Sequence, residues 1–225
     1  MHPVLHDTHL IAYDLDGTLI DSAPDLAAAV DLALEEYNMP PAGIARVRTW
    51  VGNGSLKLIE RALNDAVARG IYPPVEQATL DAVHDRFLHY YGQTPCLRSV
   101  CYPGVKECLR AQQARGITQV LITNKPTLFI APILDALALT DMFALTLGGD
   151  SLDEKKPHPA PLLLAAERFD IPVTQCLMIG DSKNDVLAGQ AAGFRTLALP
   201  YGYNHGEPVA DSGPDWMVET LGELV

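Results

Sequence analysis

One stretch, Leu10–Ser22, reading LIAYDLDGTLIDS, constrains the chain more than any other. Leu10-Ile11-Ala12-Tyr13 is a short apolar run of the kind that forms a buried strand. It stops abruptly at an acidic turn, Asp14-Leu15-Asp16-Gly17-Thr18. Residues i and i+2 of an extended segment point to one side, so Asp14 and Asp16 are expected to project together where the strand ends. Two adjacent carboxylates repel each other and gain nothing from apolar surroundings. Such a pair persists if a cation neutralises it, or if one carboxyl holds a proton and acts as an acid. In isolation the same residues also read as a polar turn in which Gly17 supplies a left-handed conformation. The rest of the chain decides.

Ser22-Ala23-Pro24-Asp25 has the pattern of a helix start: a serine cap, proline in the first turn, and an acid three residues on. Helical spacing then runs through Leu26, Val30, Ala33, Leu34 and Tyr37 as far as Pro40-Pro41. A short helix is expected around Ile44–Thr49, followed by a loop, Trp50-Val51-Gly52-Asn53-Gly54. Ser55 is expected to cap the next helix, with Leu56, Ile59, Leu63 and Val67 on one face. A fourth helix carries the stripe Leu80, Val83, Phe87 and Tyr90. No strand candidate occurs between Ser22 and about Tyr91, and Gly92–Cys101 reads as a linker.

From Tyr102 the pattern alternates. Helices are expected over Val105–Arg115, Thr127–Ala138, Pro159–Phe169, Asp185–Ala192 and Val218–Leu224. Strands are expected over Gln119–Ile122, Ala144–Leu147, Gln175–Ile179 and Arg195–Leu199. Apolar strands alternating with helices predict a parallel sheet covered on both faces. The opening strand joins that sheet, because alone it has no partner. The expectation is an α/β protein: a doubly wound, Rossmann-like parallel-sheet core (residues 1–21 and 97–225) with an inserted all-helical cap domain (22–96). Ile20–Ala23 and Gly92–Val100 are its linkers.

The formal net charge of −12 argues against nucleic acid and anionic membrane surfaces as partners. An anionic substrate would need positive charge concentrated locally, from a metal ion or a few Lys and Arg. No run approaches the ~18 apolar residues that span a bilayer, and MHPVLHDTH lacks the features of a signal peptide. Cys96, Cys101, Cys108 and Cys176 have no metal-ligand spacing and read as free thiols in a reducing compartment. A cytoplasmic protein is expected, as monomer or homodimer.

Three strand candidates end in reactive groups: Asp14-x-Asp16, Thr123-Asn124-Lys125 and Asp181-Ser182. In an open parallel sheet, ligands bind in the crevice outside the carboxyl ends of the strands. Asp181 and Asp185 are four apart, so both can face that crevice if a helix starts there. Lys155-Lys156-Pro157-His158-Pro159 brings lysines in a loop stiffened by proline. Several carboxylates in one oxygen-lined site suit Mg²⁺ bridging to a phosphate. Lys156 would supply the remaining positive charge, and the Thr123 hydroxyl could bind phosphoryl oxygens. Taken singly, Thr123 is a strand-end hydroxyl, Lys156 a solvated lysine, and Asp185 a first-turn acid complementing a helix dipole. Their joint order favours the functional reading. Lys125 is a further candidate near the phosphate, and His158 reads as a loop residue.

DLDGTLIDS, LITNK, KKPHP and GDSKND, in this order, resemble the four signature motifs of the haloacid dehalogenase superfamily, across essentially the whole chain. The helical insertion is similar to that superfamily's first class of cap. RTWVGNG, TNKPT, KKPHPAPLLL and YGYN resemble its phosphoglycolate phosphatase group. The resemblance implies Asp14 as nucleophile and Asp16 as general acid and base. It implies Mg²⁺ bound by Asp14, the Asp16 main-chain carbonyl and Asp181, with Asp185 in support. It also implies that Thr123, Asn124 and Lys156 hold the phosphoryl group. In the cap, Arg46, Arg48, Lys57 and Arg61 cluster near the WVGNG loop. Arg46, Trp50 and Gly52 are expected to meet the leaving group, a carboxylate for instance. The expected reaction is hydrolysis of a small anionic phosphorylated metabolite, 2-phosphoglycolate first and a sugar phosphate as the alternative. A phosphomutase shares the motifs. A dehalogenase is disfavoured by Asp16, and an inactive phosphate-binding module by the intact Asp14, Asp16 and Asp181.

Overall fold

The computed structural model describes residues 2–225. Its strands are β1 (Leu10–Tyr13), β2 (Ile20–Asp21), β3 (Val100–Cys101), β4 (Thr118–Ile122), β5 (Leu145–Leu147), β6 (Cys176–Gly180), β7 (Arg195–Ala198) and β8 (Trp216–Met217). Its helices are α1 (Ala23–Glu35), α2 (Ile44–Trp50), α3 (Ser55–Ala68), α4 (Gln77–Gln93), α5 (Val105–Ala114), α6 (Ile130–Ala136), α7 (Ala160–Arg168) and α8 (Lys183–Ala192).

Six strands form one parallel sheet in the order β5-β4-β1-β6-β7-β8. Every residue of β1 is buried, as its position between β4 and β6 requires. The two-residue period of a strand divides the core. Ile11 and Tyr13 pack on the side of α5 and α6, with Val105, Leu109 and Ile133. Leu10 and Ala12 pack on the side of α7 and α8, with Leu162, Ala165 and Ala188. This is the expected doubly wound α/β core. Its cap is four helices, α1 packed on α2 and α4, and α3 on α2 and α4. Among the described residues no helix is long and apolar enough to cross a membrane, and all four cysteines are free.

The structure differs from sequence expectation in several local ways. The two linkers are not loose: β2 and β3 lie within them and pair antiparallel, Ile20 with Cys101 and Asp21 with Val100. The capping pattern at Ser22 is spent elsewhere. Ser22 Oγ donates to Asp16, and buried Asp25 accepts from the Arg98 and Ser99 amides and the Ser99 hydroxyl. The N-cap of α3 is Gly54, not Ser55, and Leu56 is exposed. The buried stripe of α4 is Val83, Phe87 and Tyr91, a strict i+4 series, whereas Tyr90 is only half-buried. Thr127–Phe129 is a 3-10 turn that leads into the shorter α6.

At the end of the chain the expected helix is instead edge strand β8 and a 3-10 turn, Leu221–Leu224. Leu221 and Leu224, three apart, are both buried, which suits the three-residue period of that turn. A capping box of Thr220 and Glu223 closes it.

Candidate active site

Adjacency of β1, β4 and β6 brings the residues that follow them, Asp14, Thr123 and Asp181, to one edge of the sheet. Lys156 ties this edge together. Its buried ammonium donates to Asp14 Oδ1 at 2.8 Å and to Asp185 Oδ1 at 2.7 Å. The other oxygen of Asp185 accepts from the Ser182 amide and hydroxyl, the capping box that starts α8. Asp185 therefore serves the helix end and the site at once. Asp181 accepts from the Thr18 hydroxyl at 2.5 Å and from the Tyr203 amide. A Cβ at Gly17 or Gly202 would collide with its carboxylate, and Gly17 has φ +95°.

Asp14, Asp181 and Asp185 each offer an oxygen within 4.8 Å of the others. Three carboxylates against one ammonium leave a negative excess that a divalent cation would offset, and an all-oxygen donor set suits a hard cation. The electrostatics agree. Burial, and then Asp185 and Asp16 against the opposing pull of Lys156, pushes the Asp14 carboxyl up to about 6. Burial followed by Asp185 and Asp14 pushes Asp181 well above the usual carboxylate range. Burial disfavours the charge on Lys156, but Asp14 and Asp185 outweigh it and raise its ammonium above the ordinary value. The residues present fit a bound metal ion.

Asp16 stands apart from this cluster. Both its oxygens accept from Lys125, at 3.0 and 2.9 Å, and Oδ1 also accepts from Ser22 at 2.6 Å. The expected crowd of four carboxylates is therefore three plus one, each group with its own lysine. Asp14 and Asp16 still face one cleft between core and cap. Thr123, Asn124 and Lys125 border it from the core, and Gly52, Ser55 and Tyr91 from the cap. Thr123 Oγ1 accepts from the Lys125 amide at 3.2 Å. Asn124 Nδ2 donates to the carbonyls of Gly52 and Lys156, and Asn184 Nδ2 also donates to Gly52. These bonds hold the cap loop down on the core. Gly54 has φ +91°, and a Cβ there would sit tightly against Lys155 Nζ at 3.0 Å and the Asn124 carbonyl at 3.3 Å.

Of the cap residues expected at the leaving group, Gly52 lines the cleft, whereas Arg46 and Trp50 do not. Arg46 donates to the Ala42 carbonyl and approaches Asp65, its side chain nearly half exposed. The Trp50 carbonyl accepts from Arg61. Sequence reasoning missed Thr18 and Tyr203, which hold Asp181, and Tyr91. The i+4 series 83, 87, 91 was a signal for Tyr91; nothing local points to Thr18 or Tyr203.

A family model described as haloacid dehalogenase-like hydrolase matches residues 8–193. The chain is 43% identical over 221 residues to the phosphoglycolate phosphatase of Colwellia psychrerythraea, covering 98% of this chain and 97% of that protein. It is 44% identical to the phosphoglycolate phosphatase of Escherichia coli K12, covering 97% and 92%. Among solved structures, the crystal structure of a predicted phosphoglycolate phosphatase from Haemophilus somnus 129PT matches with a TM-score of 0.92 at 40% identity. That match covers 97% of this chain and 96% of the other.

Proposed function

The chain belongs to the haloacid dehalogenase-like hydrolases, and from that premise we propose that it hydrolyses 2-phosphoglycolate to glycolate and phosphate in the cytoplasm. The observation that carries this reading is Lys156 bonded to Asp14 and Asp185 beside Asp181, a buried anionic site with one internal counter-charge. Relatives named phosphoglycolate phosphatase over nearly the full length support the substrate. The chemistry belongs to residues 1–21 and 97–225, and residues 22–96 cover it.

An Asp14 carboxylate oxygen attacks phosphorus in line. The bond to the leaving oxygen breaks as the aspartyl-phosphate forms. Asp16 delivers a proton to the departing alkoxide and then takes one from the water that hydrolyses the intermediate, restoring Asp14. Thr123 and Lys156 hold the phosphoryl oxygens, and Lys156 screens nucleophile from phosphate. Asn124 keeps the cap loop over them. Asp14, the Asp16 main-chain carbonyl and Asp181, supported by Asp185, would hold Mg²⁺, which supplies positive charge for the phosphoryl oxygens.

Phosphate release from a panel of esters, with Mg²⁺ and with EDTA, tests the proposal. The expected result is EDTA-abolished activity with preference for 2-phosphoglycolate. Preference for sugar phosphates would reject the substrate and keep the chemistry. No metal-dependent release from any ester would reject both.

A further inference from the structure

Beyond Asp14 and Asp16 the cleft is walled by apolar side chains, among them Leu26, Leu58, Phe87 and Phe129. Besides Thr123 and Asn124, three polar features interrupt this wall, and each offers a positive charge or a donor. The first is Lys125, whose ammonium meets Asp16 and lies over the Tyr91 ring, 4.7 Å from its centroid. The second is the amino end of α3, where Gly54 and Ser55 border the cleft. Gly54 is the N-cap, and no side chain closes the first turn. The earliest helical bond runs from the Leu58 amide to the Gly54 carbonyl, so the dipole's positive end is left open. The Ser55 hydroxyl is engaged with His84 Nε2 at 2.8 Å.

The third feature is Tyr91. It is 1% exposed, it lines the cleft, and its hydroxyl has the Lys125 ammonium beside it but no acceptor for its own proton. A buried donor left without an acceptor costs about 1–3 kcal/mol. Stacking on Phe87 at 5.6 Å and an edge contact with Phe129 at 4.7 Å hold the ring. Burial, against the opposing pull of Lys125, pushes its phenol up to about 12, so it remains a donor.

An ammonium, a hydroxyl and an open helix start around an apolar pocket match a small organic anion. A sugar would present several hydroxyls that need acceptors as well as donors. Among the described residues, the one buried side-chain acceptor at the cleft without a partner is Asn124 Oδ1.

We propose that Tyr91, with Lys125 and the open amino end of α3, binds a carboxylate on the leaving alcohol, and that Tyr91 determines specificity for such esters. The inference rests on the phosphatase reading of the site and names the group that its leaving alcohol carries. It moves carboxylate recognition from Arg46, which lies off the cleft, to α4 and the start of α3.

The test compares kcat/KM for 2-phosphoglycolate and for ethyl phosphate, with Mg²⁺, in the unaltered protein, Tyr91→Phe and Ser55→Asp. Losing a hydrogen bond to a charged group lowers the ratio of the two constants about 10- to 100-fold in Tyr91→Phe. Ser55→Asp sets a carboxylate at the start of α3 and shifts the ratio in the same direction. Inhibition by free glycolate weakens in parallel, a readout independent of the chemical step. Cooperative unfolding confirms that each variant is folded, and if Tyr91→Phe is not, Ser55→Asp decides. A ratio that stays the same in a folded variant, or an equal loss on both esters, overturns the proposal. Release from neither ester by the unaltered protein overturns the phosphatase reading instead.

Discussion

Lys156 and Asp16 make different demands on the same cleft. Removing Lys156 leaves three buried carboxylates with no internal counter-charge, so Lys156→Met is expected to destabilise the metal-free protein by about 3–5 kcal/mol in a denaturant titration. The same substitution is expected to slow phosphate release by about 10²-fold or more. Activity within a few-fold of normal would exclude Lys156 from holding the phosphoryl group. Asp16→Asn removes the proposed proton donor and is expected to lower kcat on 2-phosphoglycolate about 10²- to 10⁴-fold. An ester whose alcohol departs without a proton, such as p-nitrophenyl phosphate, should still give a burst of nitrophenol as the aspartyl-phosphate forms. Absence of that burst, with Asp14 intact, would remove Asp16 from the acid role.

Among elements, the paired β2 and β3 form the passage between core and cap, and a polar cluster braces it. Arg48 of α2 meets Asp21 of β2 at 2.9 Å and lies over the Tyr203 ring, 5.3 Å from its centroid. The Tyr203 phenol donates to Asp21 and accepts from the Ala23 amide at 3.1 Å. Burial works against the Asp21 charge, but Tyr203 and Arg48 outweigh it and hold the carboxyl below its ordinary 3.8. A depressed carboxyl stabilises the fold above its ordinary value and loses that contribution as pH falls through the lowered one. Melting curves for the natural protein and Asp21→Asn should therefore differ by a constant amount from neutrality to about pH 4, then converge below it. Curves that stay parallel into acid would show that the charge on Asp21 does not brace the linker. The helical period was legible in α4, but not which of two neighbouring tyrosines turned inward: Tyr90 and Tyr91 differ by one position, and packing on Phe129 selects Tyr91.

For the whole molecule, the three-carboxylate cluster joins the turn after β1, the end of β6 and the start of α8. An ion held there binds the folded state and not the unfolded chain. At 100-fold over its Kd, Mg²⁺ should add about 2.7 kcal/mol of stability, a rise in Tm of about 5–10 °C for a chain of this size. EDTA should reverse the rise, and Asp181→Asn should remove most of it. A Tm indifferent to Mg²⁺ would mean that the three carboxylates do not hold the ion.

The sequence by itself determined the α/β class, the parallel core, the helical insertion and the strand ends at which Asp14, Thr123 and Asp181 gather. Those follow from local periodicity, two residues in a strand and 3.6 in a helix, and from polar residues set where apolar runs stop. Tertiary structure alone decided which lysine neutralises which carboxylate. Lys125 reaches Asp16 across 109 positions, and Lys156 reaches Asp14 across 142. It also placed Arg46 off the cleft, paired the two linkers with each other, and set Tyr91 of α4 beside Lys125 at the cleft wall. Such pairings depend on strand order and on how the cap sits against the core, and neither leaves a mark in the spacing of nearby residues.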